Sequence, residues 1–182
     1  MADSNYENLD SIILGCVKKE EKAQEELYKK YFGYALSIAL LYSNNRNDAI
    51  ETVNDSFIKV FKEIKRFNIS LSFKPWLRKI VINSSLDRIR KSNRRELLLG
   101  EAEVLHLEDN SPHVYQLINA QEIEQLLNYL PSILKTVFCL YEIEGYSHKE
   151  IAKSLKISKS TSRVYLTRAK KELREFYYKF NL

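Results

Sequence analysis

From Ser147 to Lys171 the chain reads SHKEIAKSLKISKSTSRVYLTRAKK, and its side chains suit the reading of nucleic acid. Two short amphipathic patterns stand back to back there, the second strongly basic. At about 100° per residue, Ser160, Arg163, Val164, Thr167 and Lys171 share an arc of about 100°, with Arg168 at its edge. Ser162, Leu166, Ala169 and Leu173 occupy a separate arc of about 60°, the expected buried stripe. An arginine can fork onto guanine, and a threonine or valine can touch a thymine methyl. The hydroxyls of Ser158, Ser160 and Thr161, close to the helix N-terminus, can hold phosphate. An ordinary αα-hairpin with a solvated basic face fits the same pattern.

Two further clusters invite a chemical reading. Asp48, Glu51 and Asp55 fall within about 60° on a predicted helix over 47–66, opposite Val53, Phe57, Val60 and Ile64. Paired carboxylates serve metal binding or acid–base catalysis when further ligands or a polar pocket accompany them, and the sequence offers neither. A protein-docking strip and a plain solvated face remain as readings. On a helix over 75–91, Trp76, Lys79, Asn83 and Arg90 share an arc of about 60°, with Leu77, Ile80 and Val81 on another side. An aromatic ring, an amide and cations on one stripe suit single-stranded DNA, whose bases stack and whose phosphates need neutralising. Trp76 in the core is the competing expectation. Cys16, Cys139, His106, His113 and His148 are too scattered for a zinc site, and the two cysteines lie among apolar residues as core thiols do.

The elements that must position these residues are helical. Three Pro and four Gly in 182 residues leave few breakers, so an all-α protein is expected. Leu9, Ile12, Ile13, Cys16 and Val17 mark a first helix capped by Asp10 or Ser11, and an aromatic-rich helix spans about 23–42. The segment 66–74 alternates in polarity and reads as a loop before Pro75, which suits the first turn of a helix. Leu117, Ile118, Ile123, Leu126, Leu127 and Leu130 resume the helical period. Ile133, Leu134, Val137, Phe138 and Tyr141 then carry a helix from Pro131 to Gly145, a left-handed cap. Ser147 with Glu150 forms a capping box, and Ser158 is the next N-cap, so two helices meet across a helix-turn-helix turn. Charge divides the chain as well. Residues 1–92 carry 16 Lys/Arg against 12 Asp/Glu, residues 93–130 carry 2 against 7, and residues 131–182 carry 11 against 5. Two basic helical domains, 1–92 and 116–182, are therefore expected around an acidic linker, 93–115, the second domain being a helix-turn-helix. With neither a signal-peptide pattern nor an apolar run near the roughly 20 residues of a membrane span, a cytoplasmic protein without direct membrane insertion is expected.

The motifs resemble the extracytoplasmic-function (ECF) subfamily of bacterial sigma-70 RNA polymerase sigma factors. Leu130-Pro131, Glu144-Gly145-Tyr146-Ser147, Glu150-Ile151-Ala152 and Thr161-Ser162-Arg163 followed by Arg168-Ala169-Lys170 are similar to its promoter-reading domain. LYKKYFGYALSIA, NDAIETVNDSFIKVF and FKPWLRKIVINSSLDRIRK look like the successive helices of its polymerase-binding domain. The resemblance implies a factor that directs core RNA polymerase to promoters and promotes DNA opening, with no catalysis of its own, no cofactor and no small-molecule substrate. It implies that Asp48, Glu51, Asn54 and Asp55 bind core polymerase. Ser158, Ser160, Thr161, Arg163, Val164, Thr167, Arg168 and Lys171 would read the upstream (−35) duplex. Asn68, Ser70, Ser72, Phe73, Trp76, Lys79, Asn83 and Arg90 would take the melted downstream (−10) strand, the loop Phe67 to Phe73 holding an extruded base. Many members are held by an anti-sigma partner. Departures are Asn54 for the usual Gln, Ile50 at a commonly acidic position, and Lys156 and Ser160 where Gly is common. Val164 stands for a common Ser and Tyr165 for a common Arg, which bears on the promoter sequence read. A stand-alone helix-turn-helix regulator shares the C-terminal motif and is the main alternative; a carboxylate enzyme and a protein-interaction module are the others.

Overall fold

The computed structural model describes residues 8–43, 45–96 and 127–180, which are helices and short connections with no strand among them. Most of the expected linker, together with Leu117, Ile118, Ile123, Leu126, His106 and His113, lies outside the described residues. The chain divides into two compact units, Met1–Arg88 and Ile89–Leu182.

In the first unit, α1 (Leu9–Val17) packs on α2 (Glu21–Leu40), and α2 packs on α3 (Arg46–Glu63). The cap of α1 is Asn8 and not Asp10 or Ser11. Asn8 and Ser11 form a reciprocal capping box, so Ser11 sits at the third helical position. Asn45 caps α3 by accepting from the Asp48 amide at 2.9 Å. The apolar arc of α3 is buried as its period requires, with Val53 and Val60 at 0 % exposure. Thr52 and Ser56 share that face because their hydroxyls donate to the carbonyls of Asp48 and Thr52, four residues back. A 3₁₀ turn, Ile64–Arg66, ends this segment. Helix α4 (Phe73–Glu96) begins two residues before Pro75, which the first turn tolerates because its amides have no intrahelical acceptor. It also runs five residues past the expected end at 91, into the first residues, 93–96, of the expected linker.

In the second unit, Pro131 precedes α5 (Ser132–Phe138), which passes into a π-helical turn, Cys139–Ile143, that the apolar period does not announce. Gly145, at φ 71°, then takes the left-handed conformation expected of it. Helix α6 (His148–Leu155) starts on the reciprocal Ser147–Glu150 capping box. It ends on Lys156, whose φ of 58° is a left-handed conformation that costs an L-residue with a Cβ. Helix α7 (Lys159–Phe180) follows and packs against α5 and α6. Glycine at position 156 removes the Cβ conflict in an exposed side chain. Lys156→Gly is therefore expected to stabilise the protein by about 1 kcal/mol, seen as a higher urea midpoint at unchanged m-value. A lower midpoint would show that the lysine side chain contributes more than the turn loses.

Candidate nucleic-acid interface

Local sequence builds the α6–α7 unit. Ser158 Oγ accepts from the Thr161 amide at 2.9 Å and lies 2.7 Å from both Ser160 Oγ and Thr161 Oγ1. The three hydroxyls thus gather where the amides of α7 are unpaired and the helix end favours an anion. Ser162, Leu166 and Ala169 are buried and Leu173 half-buried, as the stripe requires. Arg163 and Lys171 are exposed with Ser158 and Ser160, while Thr161, Val164, Thr167 and Arg168 are half-buried along the same helix. Lys171 makes a 3.8 Å pair with Glu175, and Arg163 makes no hydrogen bond or ion pair with the described residues.

Two contacts that the sequence did not reveal hold α7 in place. His148, the first residue of α6, has its Nδ1 3.0 Å from Ser162 Oγ and stacks on Tyr141 at 4.6 Å. Burial, then the cations Arg163, Lys159 and Lys170, lower its pKa, so the imidazole is neutral at pH 7. Lys170 pairs with Glu142 of the π turn at 3.0 Å. A serine inside the apolar stripe was the readable signal for the first contact, because a buried hydroxyl needs a partner.

Along α4, Asn83 and Lys79 are exposed and Arg90 is half-buried. Trp76 is half-buried and rests against Phe67 and Phe73, with ring centroids 5.0 and 5.6 Å away. It is both a rim of the core and a reachable ring. Phe73 is a correction: at 1 % exposure it packs on Tyr31 and Phe67 and offers nothing to a strand. In the preceding loop Asn68, Ser70 and Ser72 are exposed. Asn68 Oδ1, however, accepts from the Ser70 amide at 3.0 Å and from its hydroxyl at 2.8 Å, closing an Asx-type turn. That turn lifts Ile69 and Leu71 to the surface, at 41 and 63 % exposure. The alternation read there as loop polarity therefore also marks two outward apolar side chains.

The acidic strip forms on α3 as the periodicity requires, with Glu51, Asn54 and Asp55 exposed and Asp48 half-buried. Asn54 accepts the Tyr28 hydroxyl at 2.9 Å, and that ring meets Phe57 edge-on at 4.9 Å. Arg88 of α4 extends over all three carboxylates, 2.7 Å from Glu51 Oε2, 3.5 Å from Asp48 Oδ1 and 3.6 Å from Asp55 Oδ2. The hydrogen bond to Glu51 chiefly raises its pKa. A guanidinium among these carboxylates repels a metal ion, which counts against the metal reading. Burial pushes the Cys16 and Cys139 thiols up to about 11 and about 12, so both are protonated core groups. Among the described residues no helix is long and apolar enough to cross a membrane.

Comparison with known proteins adds an independent result. Residues 27–95 match the family model "Sigma-70 region 2", and residues 120–173 match "Sigma-70, region 4". The chain is 27 % identical over 158 residues to the ECF RNA polymerase sigma factor SigE of Mycolicibacterium smegmatis, covering 84 % of this chain and 60 % of that protein. It is 28 % identical over 163 residues to the ECF RNA polymerase sigma-E factor of Haemophilus influenzae, covering 83 % of this chain and 85 % of that one. Among solved structures, the sigma factor RpoE of Bartonella quintana, in complex with the anti-sigma factor NepR, aligns at 20 % identity and TM-score 0.49, covering 83 % of this chain and 94 % of that one.

Proposed function

The chain belongs to the extracytoplasmic-function subfamily of sigma-70 RNA polymerase sigma factors, and from that premise we propose that it directs core RNA polymerase to specific promoters and helps to open them. The observation that carries this reading is the pairing, in one chain, of an acidic docking strip with a capped helix-turn-helix whose exposed face is basic. A stand-alone DNA-binding regulator has no use for the strip, nor for the Pro75-Trp76 helix start with its exposed loop.

In this reading residues 1–92 form the polymerase-binding and −10 domain, with its last helix running on to Glu96. Residues 93–115 form the linker and 116–182 the −35 domain. Asp48, Glu51, Asn54 and Asp55 meet a basic surface of core polymerase. Helix α7 enters the major groove of the upstream element, Arg163 and Arg168 reaching base edges and Val164 and Thr167 supplying methyl contacts. Ser158, Ser160, Thr161 and Lys171 hold phosphates and so fix the register. Downstream, Trp76 stacks on an unpaired base, Lys79 and Arg90 neutralise the strand, and Asn83 and the exposed loop 68–72 contact bases. The polymerase makes the covalent bonds, in the cytoplasm, and an anti-sigma protein is a further partner.

Promoter-selective transcription tests the whole reading. Purified protein with core polymerase of its own bacterium, on a library of that genome's promoters, is expected to yield start-site-specific transcripts that core polymerase alone does not. Their absence, together with firm binding to duplex DNA without polymerase, would favour the stand-alone regulator.

A further inference from the structure

We infer that Arg88 sets the affinity of the α3 strip for polymerase, as a built-in cation that the incoming basic surface must displace or share; this rests on the docking role proposed for that strip. The geometry shows one guanidinium facing three carboxylates. Nη2 lies 2.7 Å from Glu51 and 3.5 Å from Asp48, and Nη1 lies 3.6 Å from Asp55. The contact is at the surface, with the Arg88 side chain 33 % exposed and those of Glu51 and Asp55 65 and 55 % exposed.

Two features mark Arg88 as exchangeable rather than structural. Asp48 is already held by the N-cap of α3, its Oδ2 accepting from Asn45 Nδ2 at 2.7 Å. A second ion pair of opposite polarity, Lys59 with Asp87 at 3.0 Å, also joins α3 to α4. Neither depends on Arg88. Exposed ion pairs contribute little each, so the exchange of one cation for another is cheap. Charge is not indifferent, however. Counting Asp48, Glu51, Asp55 and Arg88, the strip presents −2, and it would present −3 without the arginine. A positive partner is attracted more strongly to the second, and the difference is screened by salt.

The alternative is that Arg88 is a positioning residue whose fork aligns the carboxylates, and the two predict opposite signs. Labelled protein is titrated with core RNA polymerase at about 0.1 M salt, where the screening length is about 10 Å. Arg88→Gln is expected to bind about three- to tenfold more tightly, with the gain shrinking as salt is raised. Arg88→Met, which keeps the aliphatic stem over α3, is expected to show the same gain. Arg88→Lys keeps the charge and is expected to gain less than either. Weaker or equal binding by the Gln and Met variants, while their thermal melting remains cooperative, overturns the inference. So does loss of folding in both, since a structural clamp is not a displaceable one. A separate control, Glu51→Lys with Asp55→Lys, tests the docking role itself: if that variant still binds polymerase, the strip is not the docking surface, whatever Arg88 does.

Discussion

The variant carrying Glu51→Lys and Asp55→Lys is expected to lose co-purification with core RNA polymerase and to fall by on the order of a hundredfold or more in promoter-dependent transcription. Both side chains are exposed on α3, and both face Arg88. The double change turns the local charge, with Asp48 and Arg88 counted, from −2 to +2. Like-charge juxtaposition at an interface costs several kcal/mol, which suffices for an effect of this size. Stability should change little, because the buried face of α3 is untouched and exposed pairs contribute about 0–1 kcal/mol each. A melting curve close to that of the parent, beside lost binding, is the expected pair of results. Retained binding would reduce the strip to solvated surface.

Arg163→Ala is expected to lower discrimination between upstream elements by about ten- to a hundredfold, the value of one bidentate contact to a base pair, while leaving polymerase binding in place. Arg163 suits this role because it is exposed on the first turns of α7 and engages no acceptor among the described residues. Lys171→Ala makes the contrast. A phosphate contact carries no sequence information, so its loss should weaken binding uniformly and flatten the salt dependence by about one unit of slope. Transcription from a panel of promoters differing only upstream separates the two. Unchanged ranking of that panel by Arg163→Ala would remove the residue from base reading.

The rotation of α7 was legible in the chain, because Ser162, Leu166 and Ala169 recur at the helical period and the basic residues fill what remains. The caps of α6 and α7 were legible too, since Ser147 with Glu150, and Ser158 with the amide of Thr161, are contacts over three residues. The start of α1 was misread because Asn8 caps as well as serine or aspartate does, and composition alone does not choose among neighbours. Phe73 was misplaced for a different reason. It lies at the junction of a loop with a helix, where periodicity assigns no face, and only the rings of Tyr31 and Phe67 decide that it is buried.

The sequence by itself determined the helices, their buried stripes, the opposed acidic and basic faces and the family, because these follow from contacts between near neighbours and from order along the chain. The tertiary structure alone decided that Arg88 neutralises part of the acidic strip from 33 to 40 residues away, that His148 satisfies the buried Ser162, and that Ile69 and Leu71 stand outward on the Asn68 turn. Such contacts depend on how one helix is rotated and set against another, or on how a turn aims its side chains. Packing fixes both, and no residue's own neighbours in sequence record either.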